Sequence, residues 1–308
     1  MSYWSQGINF AALCFCIFTA VLTLSVFVWS RYKSSPALTM FNKRMASLWV
    51  LIILFVTAFV GGKFVACLFF AALSFAGLLE YGKMIAVKHR FETRSILPYV
   101  FVPLQYSALF FGSDFTFCAM IPLSVFVLIP YAGILNRRAS DIGIKCLFDY
   151  VGLMLTVYAL SYMCAFLTLP LSDETDGAAL LLFVLILTLM SDFFQAICGF
   201  LCGKHNVVPM LSPHKTWEGL IGGGLLTAIL SWIAGRYLTP FTVLELLVFG
   251  FVLNFAAFCG DITVSAIKRY VGVKDSGKLL PGHGGLLDRF DSIMLTAPLL
   301  FWYVLWIY

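Results

Sequence analysis

Uncharged apolar runs recur from Ser2 to Ser30, Met45 to Gly62, Phe64 to Leu79, Ser95 to Ser113, Phe115 to Asn136 and Tyr150 to Ser172. They continue from Gly177 to Gly203 (interrupted by Asp192), Gly219 to Gly235, Leu246 to Ile267 (interrupted by Asp261) and Ser292 to Tyr308. A hydrocarbon core of about 30 Å is crossed by roughly 20 apolar residues in helical form. A membrane barrel would instead show short segments of alternating hydrophobicity, and these runs are continuous. The pattern predicts an all-α polytopic membrane protein with about ten transmembrane helices. Composition closes off the alternatives. Only 11% of the 308 residues are charged, against roughly 25% in soluble domains, which excludes a soluble enzyme, a coiled coil or a disordered chain.

The charges that remain are asymmetric. Eighteen of the twenty Lys and Arg residues fall in the loops that follow odd-numbered runs, leaving Lys63 and Arg236 on the other side. Basic residues mark cytoplasmic loops, so the odd-numbered loops are expected in the cytoplasm and both termini outside. The N-terminus has no basic residue ahead of its first apolar run, which argues for a retained span over a cleaved signal peptide. The nine cysteines are odd in number and scattered through apolar runs, with no Cys-x-x-Cys. They are expected to pack as small apolar residues and not to form a disulfide framework.

Ionisable residues gather in the C-terminal third. The chain divides into an N-terminal transmembrane scaffold over 1–176, with about six spans, and a catalytic transmembrane region over 177–308. The latter carries two cytoplasmic loops, 201–218 and 266–290. Lys, Arg, Ser and Thr beside glycine-rich backbone suit phosphate binding through charge and exposed N–H groups. Aspartates among them would repel phosphate unless a cation lay between. The combination points to a phosphate–metal site, with Mg²⁺ favoured by the all-oxygen ligands.

Asp261 sits at the cytoplasmic edge of its run. On a continuous helix Asp261, Ser265 and Lys268 share one face at i, i+4 and i+7. Asp288 and Asp291 share a face at i and i+3 near the start of the last run. Ionisable residues at membrane depth are functional candidates, so Asp261 is read as a metal ligand ahead of a buried partner for Lys268 or Arg269. For Asp291 a metal role and helix N-terminal capping weigh equally. Asp192 is likewise divided between a site role and a structural hydrogen bond. His205, His214 and His283 do not have zinc-site spacing. His283, within Pro281-Gly-His-Gly-Gly285, is read as a phosphate donor or turn residue.

The segment from Ser265 to Asp291 resembles the C-terminal signature of phosphatidate cytidylyltransferases (CDP-diacylglycerol synthases), roughly S-x-x-K-R-x4-K-D-x-G-x3-P-G-H-G-G-x-x-D-R-x-D. Gly203-Lys-His, Pro209, Ser212-Pro213, Lys215-Thr-Trp-Glu-Gly219 and Gly260-Asp261 are similar to the same family. The likeness covers about residues 185–295. One stretch departs from it. Where the family commonly reads D-(S/T)-G-A-Y-x-x-G-(K/R), this chain has Asp192-Phe-Phe-Gln-Ala-Ile-Cys-Gly-Phe200. Asp192 and Gly199 are kept, but Phe194, Gln195, Ala196 and Phe200 replace the small pair, the tyrosine and the basic residue. That wall of the site is altered, as in a divergent paralogue.

The resemblance implies an enzyme that transfers the cytidylyl group of CTP to phosphatidate, giving CDP-diacylglycerol and pyrophosphate with Mg²⁺ and room for a second cation. It implies Asp261 and Asp288 as metal carboxylates, with Asp192 and Asp291 as further candidates. Lys215 and Lys268 join the two carboxylates in catalysis, and Ser212, Thr216 and Arg269 bind phosphate. Lys274, Asp275, His283 and Arg289 shape the nucleotide end. The expected setting is a bacterial inner membrane with the site facing the cytoplasm, possession of a homodimer being compatible with the family, and nucleic acid is not an expected partner. Two other readings stay open: a CTP-dependent transferase acting on another lipid phosphate or a polyprenol-like acceptor, and a transport or non-catalytic paralogue.

Overall fold

The computed structural model describes residues 62–89, 96–111, 114–135, 139–169, 177–277 and 285–307. The first two expected spans, and His283, lie outside these described residues. The chain forms α1 (Gly62–Lys88), α2 (Leu97–Phe111), α3 (Asp114–Leu123), α4 (Val125–Leu135) and α5 (Ala139–Leu153). A π-helical turn over Met154–Tyr158 joins α5 to α6 (Ala159–Ala165). Then come α7 (Gly177–Cys202), β1 (Asn206–Val208), β2 (Ser212–Thr216), α8 (Trp217–Leu238), α9 (Val243–Val271), α10 (Leu287–Phe290) and α11 (Ile293–Ile307).

Each expected span from Phe64 onward falls on helix. The segments Gly62–Lys88, Ile142–Thr168, Gly177–Cys202, Trp217–Leu238 and Val243–Val271 are long and apolar enough to cross a membrane. Leu97–Phe111, Phe115–Tyr131 and Ile293–Ile307 are shorter apolar helices. Large apolar side chains also cover the outside, among them Phe200 at 89% exposure and Leu244 at 72%. A surface of that kind needs a lipid solvent. This is a membrane protein.

Local chemistry sets the helix ends. The Thr242 hydroxyl accepts the Glu245 N–H while the Glu245 carboxylate accepts the Thr242 N–H at 2.7 Å, a capping box that starts α9. Gly272, at φ +87°, ends it in the left-handed region, with its N–H donating to the Lys268 and Arg269 carbonyls. Within the bundle, polar groups bond across helices where lipid offers them nothing. The Gln105 amide donates to the Phe117 carbonyl and the Ser161 hydroxyl, and Ser74 pairs with Tyr106 at 2.9 Å.

Two features correct the sequence expectations. The loop after α7 folds as a short antiparallel hairpin, with Asn206 opposite Thr216 and Val208 opposite Ser212, so the chain is mostly rather than wholly helical. Cys67 on α1 and Cys164 on α6 are joined as a disulfide with their Cα atoms 5.6 Å apart. Both are buried, and 97 residues separate them, so no spacing pattern announces the pair. The two parts of the chain also touch, since α1 packs against α9 and α10 and so helps frame the second loop.

Candidate active site

Two ionic groups lie at one end of the bundle, linked along a single face of α9. The first surrounds Lys215, the penultimate residue of β2. Its Nζ lies 2.8 Å from Asp261 Oδ2 on α9 and 3.9 Å from Asp192 Oδ1 on α7. It also donates to Gln195 Oε1 at 3.2 Å. Asp192 Oδ2 accepts the Ser292 hydroxyl at 2.8 Å, but its other oxygen is buried without a hydrogen bond. Asp291 joins from the turn before α11, accepting the Ser292 N–H. Burial, followed by the nearby Asp261 and Asp192 carboxylates, pushes the Asp291 carboxyl well up from the usual range. Burial would lower the Lys215 ammonium, but Asp261, Asp192 and Asp291 outweigh it and hold its pKa up.

The helices meet closely here. A Cβ on Gly223 of α8 would come within 2.8 Å of the Gln195 side chain, and one on Gly219 within 2.8 Å of the Gln195 carbonyl. Gln195 in turn donates to Asn254 Oδ1 at 3.1 Å, and Asn254 donates to the Leu220 carbonyl at 3.0 Å. Through this chain α7, α8 and α9 jointly fix the amide oxygen that faces Lys215.

The second group surrounds Lys268, whose Nζ donates to Asp288 Oδ1 at 2.8 Å. Asp288 Oδ2 accepts two backbone N–H groups, from Ser276 at 2.9 Å and Gly285 at 3.0 Å. Burial would raise this carboxyl, but the Lys268 and backbone hydrogen bonds prevail and hold it below the usual range. Ser265, one turn ahead of Lys268, donates to Asp261 Oδ1 at 3.3 Å. The stripe expected on α9 is thus present, although Asp261 pairs with Lys215 and Lys268 with Asp288.

The remaining expected residues are more dispersed. Thr216 caps α8, accepting the Gly219 N–H, and Ser212 is half-buried at the start of β2. Arg269 Nε donates to the Leu211 carbonyl at 3.4 Å, tying α9 to the hairpin. Lys274, Asp275 and Arg289 are exposed, and Arg289 lies near enough to Asp192 for their charges to interact. His205 pairs with Glu218 at 2.6 Å, a structural link from the hairpin to the start of α8.

Sequence reasoning missed Glu80 on α1, which is 3% exposed. It accepts the Ser276 hydroxyl, the Leu286 N–H at 2.9 Å and the Leu287 N–H at 3.2 Å. Its signal was an acid one residue beyond the apolar run that ends at Leu79. Asn254 was missed as well, a lone amide inside an apolar run.

Among the described residues no three His, Cys, Asp or Glu side chains form a ready ion cage. Magnesium, however, is commonly held by one or two carboxylates with substrate phosphates completing the shell. The buried, unbonded Asp192 oxygen and the hard carboxylates around it fit such an ion.

The cytidylyltransferase family model matches residues 42–307. A phosphatidate cytidylyltransferase from Staphylococcus haemolyticus is 34% identical over 71% of this chain and 79% of its own length. One from Staphylococcus saprophyticus is 29% identical over 82% and 94%. The Escherichia coli protein named uncharacterized protein YnbB is 40% identical over 85% of this chain and 86% of its own. With the family pattern running through both ionic groups and nearly every described helix, this chain belongs to the cytidylyltransferase family.

Proposed function

We propose that this nucleotidyltransferase moves the cytidylyl group of CTP onto the phosphate of phosphatidate, leaving CDP-diacylglycerol in the membrane and releasing pyrophosphate. The observation that carries the reading is the acid-rich group around Lys215, with Asp192, Asp261 and Asp291 gathered at the end of apolar helices. A lipid headgroup and a soluble nucleotide can both reach such a place. The names of the staphylococcal relatives support the same substrates.

A phosphate monoester is largely dianionic near neutral pH, its second pKa being about 6, so the nucleophile needs little help from a base. Its oxygen attacks the α-phosphorus of CTP, the new P–O bond forms, and the bond to the bridging oxygen breaks. The electron pair leaves with pyrophosphate. The protein's task is to bring two polyanions together and stabilise charge on the leaving group. Lys215 and Lys268 are placed for that work, each held in a fixed direction by an acid. A bound Mg²⁺ would supply further charge neutralisation. Asp192, whose Oδ1 accepts no hydrogen bond, would hold it with Asp261 and Asp291, and Asp288 stays a further candidate although it accepts from Lys268 and two backbone amides.

The site is proposed to face the cytoplasm of a bacterial inner membrane. The placement of Lys and Arg supports this. So does the disulfide, since Cys67 lies thirteen residues before Glu80 on α1, about 20 Å toward the other end at 1.5 Å per residue. Disulfides persist in oxidising compartments.

A second acceptor is favoured by one observation. Gln195 stands where the family pattern has a small residue, and it reaches Lys215. The test is to supply purified protein with CTP, Mg²⁺ and either phosphatidate or another lipid phosphate, then identify the labelled lipid. CDP-diacylglycerol from phosphatidate is the expected product. Turnover only with another lipid phosphate would overturn the acceptor assignment.

A further inference from the structure

Glu80 is a buried acid with no cation beside it among the described residues. It belongs to the N-terminal bundle, yet its three hydrogen-bond donors lie 196 to 207 residues downstream. Those donors divide the stems of the second loop with Asp288. The Ser276 hydroxyl donates to Glu80 while the Ser276 N–H donates to Asp288. The Gly285 N–H donates to Asp288, and the next two amides, Leu286 and Leu287, donate to Glu80. Two carboxylates thus hold both stems, and one of those carboxylates is the partner of Lys268.

The glycines of the loop fit the same arrangement. A Cβ on Gly285 would collide with Glu80 Oε1 and the Ser276 hydroxyl, and one on Gly277 would come within 2.7 Å of the Glu80 carboxyl carbon. The glycine at each stem therefore leaves room for an acid that arrives from α1.

We propose that Glu80 is a positioning residue for the transfer reaction, fixing Ser276 and the 285–287 backbone so that Asp288 holds Lys268 toward the nucleotide phosphates. This rests on the reading of Lys268 as a phosphate-binding group under Proposed function. Glu80 itself touches no substrate. Its carboxylate acts through Ser276 to Asp288 and from there to Lys268. A displacement of about 1 Å in a group that aligns the reacting atoms can cost on the order of 100-fold in rate.

The experiment uses the full chain in detergent with Glu80→Gln, which keeps the shape but replaces an acceptor oxygen with an amide. Product formation and amide hydrogen exchange without substrates are both measured. Expected is a fall in kcat of about 10- to 100-fold with a much smaller change in the KM for CTP. Exchange at Leu286 and Leu287 should rise about tenfold or more, as a local opening confined to 274–290. Gly285→Ala should lower kcat similarly, and should cost little more when added to Glu80→Ala, since the acid it collides with is gone and the Ser276 hydroxyl, no longer held by that acid, can turn away from the new methyl group. Wild-type kcat in Glu80→Gln, additive losses in the double variant, or faster exchange spread evenly over all helices would overturn the proposal. A wild-type protein that forms no CDP-lipid would refute the functional reading instead. The exchange pattern would then decide the place of Glu80 by itself, because it needs no turnover.

Discussion

The acids around Lys215 and those around Lys268 are built from similar parts but left in different states. Around Lys268, every Asp288 and Glu80 oxygen has a donor, from one ammonium, one hydroxyl and four backbone amides. Around Lys215, Asp261 and Asp192 pair with one ammonium and Asp291 lies near, with Lys268 and Arg289 acting from farther off, and an Asp192 oxygen is buried without a hydrogen bond. A complete network fixes backbone. An incomplete one, with negative charge to spare, has work left for a ligand. On the function proposed above, the group around Lys268 would hold the loop and the group around Lys215 would bind a cation with the nucleotide.

Substitutions can break this contrast, and the largest effect should come from the incomplete group. Asp261→Asn is expected to lower kcat/KM by about 100-fold or more, from lost charge placement at the reacting centre, as read by product formation under saturating Mg²⁺. Its melting temperature should change little. Glu80→Ala should show the reverse emphasis in stability. It strands a hydroxyl and two backbone amides inside the protein, and a cost of about 3 kcal/mol follows from typical penalties for unmet buried donors. Reversible denaturation in detergent would measure it. Gln195→Ala sharpens the comparison at lower amplitude. Of the hydrogen bonds it loses, the one from the charged Lys215 is worth roughly 1.5–3 kcal/mol and the neutral one to Asn254 less, and product analysis should show whether the acceptor range widens as well.

The smallest effect is a pH dependence. Asp288 is held below the ordinary carboxylate range, so in the folded protein it binds its proton less readily than in the unfolded chain. Its contribution to stability is complete above the unfolded value and is lost as pH falls through the lowered folded value. Acid unfolding of Asp288→Asn should lack that part of the slope, whereas the wild type should show it.

The helical architecture was legible because long apolar runs have one solution in a bilayer, and the eight runs from Phe64 onward each lie on helix. The polar face of α9 was legible too. Asp261, Ser265 and Lys268 follow helical periodicity, and Ser265 does reach Asp261. Pairing was not legible, since periodicity places residues on a face without naming their partners. Lys215 takes Asp261 from a hairpin that the sequence presented as a loop. Glu80 and the Cys67–Cys164 link are joined to residues far along the chain by packing, which no local pattern encodes. Thr216 sits just ahead of Trp217-Glu218, and its hydroxyl caps α8, a local role that a phosphate-binding reading of the same hydroxyl does not reveal.

Magnesium titration of thermal stability, in the absence of substrate, tests the central contrast most directly. The wild type and Glu80→Gln should both be stabilised as the ion is added, because the group around Lys215 is intact in each. Asp192→Asn should start at an equal or higher melting temperature, having shed a crowded charge, and should gain little from the ion. An Mg²⁺ response in Asp192→Asn as large as in the wild type, or one lost only in Glu80→Gln, would contradict the assignment of the two groups.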